Sequence, residues 1–217
     1  MPNTRPLSIA VGIVILAFMT FTVRPLSAAP AGKIPASLLA LFPKGAQFGH
    51  GDFSVMPTEF GKTFGGDLNA ASFPGKNPSC DLAGTTMMSI SIKGDTAFNE
   101  PPMLDMFVAE FEQNLANAAA PLKTIATSYA KGVPNVVSVG TIKQVKRPNG
   151  HLFFIQYQED CGPHPKGFKT KLRGLAHRGA TQLDFTLWLA LDEAATQAIA
   201  EEILANFQKL DIAALTK

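Results

Sequence analysis

The stretch from Val136 to Phe207 limits what this chain can fold into more than any other. His151-Leu-Phe-Phe-Ile-Gln-Tyr-Gln158 is apolar at both alternating sets of positions, the mark of a strand covered on both faces. Thr181 to Leu191 alternates cleanly, with Leu183, Phe185, Leu187, Leu189 and Leu191 on one face. Asp192 stands where a helix N-cap belongs, and Ile199, Ile203 and Phe207 recur behind it at a spacing of four. Such a helix needs an apolar sheet to cover, and the sheet lies immediately upstream. Between these runs, Arg147-Pro-Asn-Gly150 reads as a hairpin turn, because Asn and Gly tolerate positive φ. The segment therefore predicts four successive strands, over 136–145, 151–159, 168–177 and 181–191, followed directly by a helix.

Upstream, the signals alternate between strand and helix. Pro35 to Phe42 predicts a short helix or turn that tucks Leu38, Leu39, Leu41 and Phe42 under the domain. A short strand is expected within 45–55, broken by Met56-Pro57. Another spans 63–73, weakened by Gly65-Gly66. Thr86, Met88, Ile90 and Ile92 alternate with Thr85, Met87, Ser89 and Ser91 and predict a half-buried strand over 85–93. The helix signal over 102–119 is the clearest. Met103, Leu104, Phe107, Val108, Phe111 and Leu115 form an apolar stripe, Pro101-Pro102 suits its start, and Pro121 is read as its end. A further short turn is expected over 122–131. Together these give the α+β class: a single antiparallel sheet of about six strands, including the C-terminal four-strand meander. An inserted helix at about 102–119 and a C-terminal helix at about 192–209 cover it.

The N-terminus reads as a secretory signal peptide. Arg5 precedes an uncharged, mostly apolar run from Ser8 to Val23, and small residues follow in Pro25-Leu-Ser-Ala-Ala-Pro-Ala31. Cleavage is expected between Ala28 and Ala31, leaving residues 32–217 as one globular domain. The run falls short of the ~20 residues that span a bilayer, and Arg24 closes it. The rival is a signal anchor that keeps residues 8–23 in the membrane.

Without the leader, which carries Arg5, Arg24 and no acid, Lys plus Arg falls from 19 to 17 and equals the 17 Asp plus Glu. A near-neutral domain argues against a nucleic-acid partner. Cys80 and Cys161, an even pair in an exported chain, are expected to form a disulfide across a long loop. The expected location is periplasmic or extracellular.

Several constellations carry chemistry at least in outline. Gly61-Lys62-Thr63 has the tail of a phosphate-binding loop, but position 56 is Met where that motif needs Gly. The loop Glu159-Asp-Cys-Gly-Pro-His164, with Cys80-Asp81, is the most polar and constrained segment. Asp160, His164 and Asp81 are its candidate binding residues. Its alternatives are a disulfide-braced surface loop, a metal site, or a thiol nucleophile with His164 as base. The C-x-x-H spacing has no second dyad to complete a zinc pattern, and no third group is placed to orient a catalytic His, so no metal, cofactor or catalytic residue is assigned.

His50-Gly-Asp52 is read as a solvated loop, His151 as a turn residue and His177 as exposed. Lys169, Lys171 and Arg173 share one face of the third meander strand. They serve either as the guarding charges of an edge strand or as a cationic face for an anionic partner. Gln182 and Asp184 on the next strand are placed to neutralise them. Trp188, on the polar face of the fourth strand, is expected to pack under the 102–119 helix, the alternative being that it marks a ligand surface.

The run of strands, inserted helix, four-strand meander and C-terminal helix resembles PsbP-like secreted domains. The residues that carry the likeness are Leu183–Leu191 running into Asp192–Phe207, and the Pro102–Leu115 helix. The resemblance implies an antiparallel sheet sandwiched by helices and a non-enzymatic accessory or binding role outside the cytoplasm. The function expected is that of an exported binding or assembly domain with a protein or small-molecule partner. The alternatives are a small thiol- or metal-dependent hydrolase centred on Cys161, His164 and Asp160, and a membrane-anchored envelope protein.

Overall fold

A computed structural model of the chain describes residues 34–72, 87–132, 136–160 and 167–217. Among them nine strands make one antiparallel sheet: β1 (Gln47–Gly51), β2 (Ser54–Thr58), β3 (Gly61–Ser72), β4 (Met87–Asp95), β5 (Val136–Val139), β6 (Lys143–Arg147), β7 (Gly150–Glu159), β8 (Gly167–Arg178) and β9 (Thr181–Leu189). Their order is β1-β3-β4-β9-β8-β7-β5, with β2 also beside β3 and β6 beside β7. The helices are α1 (Ala36–Leu39), α2 (Met103–Leu115), α3 (Ala120–Ala130), α4 (Glu193–Lys209) and α5 (Ile212–Leu215).

The α+β class, the C-terminal meander and the closing helix are as the sequence predicts, but there are more strands than six. The segment 136–145 does not run as one strand. Gly140 donates its amide to the Gln156 carbonyl at 2.9 Å, and the chain resumes pairing only at Lys143, so β5 and β6 lie end to end along β7. The opposite edge is divided in the same way, with β1 and β2 both on β3. Met56 and Pro57 do not break that region. They lie within β2, where Pro57 sits opposite Lys62 on an outer edge that tolerates a missing N–H.

Turn chemistry fixes the register of the meander. Arg147 faces Gly150 across the turn Pro148-Asn149, and Asn149 takes φ 59, a value Asn accepts more readily than most residues. Gly179, at φ 55, closes the β8–β9 hairpin. Glycine serves a second purpose at Gly174: an added Cβ there would lie 2.2 Å from the Phe185 ring, so Phe185 packs directly on bare backbone.

Alternation on β7 explains the two-sided core. Leu152 and Phe154 join the larger apolar cluster, with Leu172, Leu183, Phe185 and Leu187 of the sheet and Ala200, Ile203, Leu204 and Phe207 of α4. Phe153 and Ile155 face the opposite layer, formed by Phe111, Leu115, Ala118 and Leu122. Each fully buried Leu or Phe contributes roughly 2 kcal/mol of transfer free energy. The short α1 adds Leu38, and the turn that follows it adds Leu41, both almost wholly buried, to the larger cluster.

The closing helix α4 is held at both ends. Asp192 accepts the Ala195 amide on its side chain at 2.8 Å. At the other end Arg178 donates to the carbonyls of Phe207, Gln208 and Leu210, satisfying acceptors that a helix terminus leaves open. The helix expected over 102–119 forms, but it is shorter, and a second helix follows it. α2 ends at Leu115, and Pro121 lies in the first turn of α3, where its missing N–H costs nothing. The residue read as a stop is a start, and the turn expected over 122–131 is most of α3.

Candidate functional site

Strand β8 places Lys169, Lys171 and Arg173 on one face, as its alternation requires. It is not an edge strand, however: it lies between β7 and β9 in mid-sheet. Nor do the three cations form an open surface, since Lys169 and Lys171 are only 7% and 8% exposed. All three point to the α2–α3 side, and each has a partner there. Lys169 Nζ lies 2.9 Å from Glu159 Oε2. Lys171 Nζ stands 3.2 Å from the centroid of the Trp188 ring and 6.0 Å from that of Tyr129. Arg173 binds both carboxylate oxygens of Asp184, at 3.1 and 2.7 Å, and gives its remaining Nη1 to the Ala118 carbonyl at 3.2 Å. Burying a charge without such a partner costs several kcal/mol. Both the edge-strand reading and the cationic-face reading are thereby corrected.

Asp184 neutralises Arg173 as its position facing β8 suggests, whereas Gln182 lies farther along, opposite His177 and Lys93. The Asp184 carboxylate holds the Arg173 guanidinium above its usual range. Burial pushes the Lys171 ammonium down. Burial, with Tyr129 as the next cause, pushes the Tyr157 phenol well above its usual range. Trp188 does not pack under α2. Its Nε1 donates to the Tyr157 hydroxyl at 2.7 Å, and Tyr129 of α3 meets Tyr157 edge-on at 4.8 Å.

The second face of the sheet is covered only in part. α2 and α3 lie over the β7 and β8 columns, while β3, β4 and β9 present Asp67, Asn69, Ser89, Ser91, Asp184 and Thr186 beyond them. A groove follows this boundary. One lobe, of about 370 Å³, lies among Ser91, Lys93, Phe111, Asn114, Asn117 and Asp184. A second, of about 340 Å³, lies among Ser89, Pro121 and Thr186 and shares Ser91, Arg173 and Asp184 with the first. The Arg173–Asp184 pair thus sits where the lobes meet. Another hollow, of about 500 Å³, lies between Glu112, Lys123 and His151. It is larger, and among the described residues it holds no ion pair. Signals for the groove were present in the sequence: Ser89, Ser91, Asp184 and Thr186 occupy strand positions that would be apolar under a helix.

The other candidates fall elsewhere. His177 is half-buried rather than exposed, its ring 4.8 Å from that of Phe111. His50 lies in β1 and is exposed, and Asp52 accepts the Asp67 amide. His151 is the second residue of β7, with Gln144 Nε2 3.0 Å from its Nδ1. Asp160 is exposed just past the end of β7. Cys80, Asp81, Cys161 and His164 lie outside the described residues, as does the leader, residues 1–31. The strand ends flanking the cysteine-bearing segments, Ser72 and Met87 on one side and Glu159 and Gly167 on the other, lie at the same end of the sheet. Among the described residues no helix is long and apolar enough to cross a membrane.

No family model, no curated protein and no solved structure matches this chain. The likeness to PsbP-like domains accordingly rests on the order of elements alone. What the fold and the groove define is a class: an α+β domain with one antiparallel sheet between unequal helical layers, and a polar groove where the thinner layer stops.

Proposed function

We propose that this chain is an exported, non-catalytic binding domain and that its ligand seat is the groove between α2–α3 and strands β4, β9 and β8. The observation that carries this reading is the Arg173–Asp184 pair at the groove's centre, closed on itself through two hydrogen bonds and anchored to Ala118. A pair so engaged positions the floor of a preformed site. The leader supports export, and export supports a Cys80–Cys161 disulfide, to which the shared end of the flanking strands adds geometric support. The partner is a protein segment or a small molecule rather than nucleic acid, given the charge balance of residues 32–217.

The test is a fragment screen on the isotope-labelled protein. Hits whose chemical-shift changes centre on Ser91, Asn117 and Asp184 support the groove as the seat. Hits that cluster elsewhere, with the groove silent, overturn it. The export half is tested separately by the N-terminal residue of the purified protein: an intact Met1 in the cytoplasmic fraction rejects it.

A further inference from the structure

We infer that the groove is built for a neutral, polyhydroxylated ligand, a saccharide rather than an anion, a cation or a peptide strand. This inference rests on the groove being the ligand seat. Three observations select the class.

The first is charge. The guanidinium and carboxylate at the centre lie 2.7 Å apart and cancel each other. An anion entering the centre of the groove meets an arginine whose Nε, Nη1 and Nη2 are already engaged, and a cation meets a carboxylate already paired, so neither gains a full ionic partner there. The exposed Lys93 stands at the wall of the first lobe, which is why a sulfated sugar is among the probes. A carboxylate offers about four lone-pair directions, and Arg173 fills one on each oxygen. The rest are open to hydroxyl donors, since the Asp184 side chain is 40% exposed.

The second is the chemistry of the walls. Ser89, Ser91 and Thr186 on the sheet side, and Asn114 and Asn117 on the helix side, carry groups that both donate and accept. None of the five spends its side chain on a hydrogen bond with another described residue. A sugar hydroxyl is also donor and acceptor at once, so it meets such a wall in either sense. A peptide strand would instead seek a free sheet edge, and the groove lies over strands paired on both sides.

The third is the apolar surface between them. Pro121, exposed in the second lobe, gives the C–H face of a pyranose ring a surface to rest on, while Phe111, 3% exposed, closes the base of the first. Apolar ring faces framed by convergent polar groups are what a saccharide presents, and the groove matches that alternation.

The experiment titrates the labelled full-length protein with three neutral hexasaccharides, of the maltose, cellobiose and N-acetylglucosamine series. A sulfated hexasaccharide and an unstructured neutral peptide serve as comparators. The inference expects saturable shifts at Ser91, Asn117 and Asp184 with at least one neutral saccharide. Ser91→Ala and Asn117→Ala should each weaken that binding about fivefold, roughly the loss of one hydrogen bond, with unchanged circular dichroism. If only the sulfated sugar or the peptide shifts the groove residues, the ligand class is wrong and the groove stands. If none of the five probes shifts them while the fragment screen does, the class is likewise rejected. If neither the probes nor the fragments shift them, the groove reading falls as well.

Discussion

The ammonium of Lys171 stands 3.2 Å from the centre of the Trp188 indole, and the indole N–H in turn donates to the Tyr157 hydroxyl. A lysine in mid-sheet is thus held by aromatic faces, with no carboxylate of the described residues against its ammonium. The arrangement is asymmetric. Removing the cation leaves a well-packed aromatic site, whereas removing the ring leaves a buried charge with little to face. Lys171→Met is therefore expected to fall within about 1 kcal/mol of the parent in stability, and Trp188→Leu to lose about 3 kcal/mol. Urea denaturation of both variants measures this, and a larger loss for Lys171→Met than for Trp188→Leu would reverse the assignment.

The same lysine predicts a pH dependence. Burial lowers its pKa from the ordinary 10.5. Between the lowered folded value and 10.5 the unfolded chain binds more protons than the folded one, so Lys171's contribution to stability rises with pH across that alkaline interval. Parent stability measured against Lys171→Met should therefore improve as pH climbs toward 10.5. A difference that stays flat would put the ammonium in water.

Tyr157 works in the opposite direction. Its phenol is held above the ordinary 10.0, chiefly by burial, so above that pH the unfolded chain loses a proton that the folded protein keeps. The stability it supplies is present below pH 10 and lost above it. In alkaline titration the Tyr157 phenolate should appear only together with the unfolding transition, seen as ultraviolet absorbance that tracks loss of circular dichroism. Tyr157→Phe should remove that component.

Arg178 closes the C-terminal end of α4 by donating to three carbonyl groups, those of Phe207, Gln208 and Leu210. Arg178→Ala leaves them to water and is expected to cost about 1–2 kcal/mol. Hydrogen exchange should speed up at the last turn of α4 and at α5 while β8 stays protected. Exchange that speeds up evenly over the whole sheet would contradict a local clasp.

At Gly174 the ring of Phe185 occupies the space a Cβ would need. Gly174→Ala forces Phe185, 1% exposed, out of its seat and is expected to cost roughly 2 kcal/mol or more. Adding Phe185→Leu should recover part of the loss. Additive losses in the double variant would mean that the two positions are not in contact.

The cysteine pair gives a final check on the exported reading. The native protein should offer no reactive thiol, and replacing both Cys80 and Cys161 by Ser should cost about 4 kcal/mol, as expected for closure of a long loop. A thiol that reacts in the native state would argue against the disulfide and favour a nucleophile or ligand.

Much of the architecture is legible in local pattern, because local pattern is what builds strands and helices. The double-sided apolarity of His151–Gln158 fixed a central strand, and Asn149-Gly150 located a hairpin. Asp192 with Ile203 and Phe207 set the closing helix. Reading failed where the outcome depends on a neighbour. Pro121 signals a helix boundary but not its sense, so a turn was expected where a second helix forms. The gap at Gly140–Ile142 and the survival of Pro57 within a strand both depend on which side of the chain faces another strand.

What the sequence determined alone is the alternation: it put Lys169, Lys171 and Arg173 on one face and made β7 apolar on both. Tertiary structure alone decided what that face meets. Periodicity is a property of the backbone and is written residue by residue, whereas strand order is set by contacts between residues far apart in the chain. The pairing of β4 with β9 brought Ser91 beside Asp184, and the reach of α2–α3 stopped short of them. The free energy of a buried charge depends on those distant partners, so three cations that look like an exposed stripe in sequence became two enclosed lysines and the arginine at the centre of a groove.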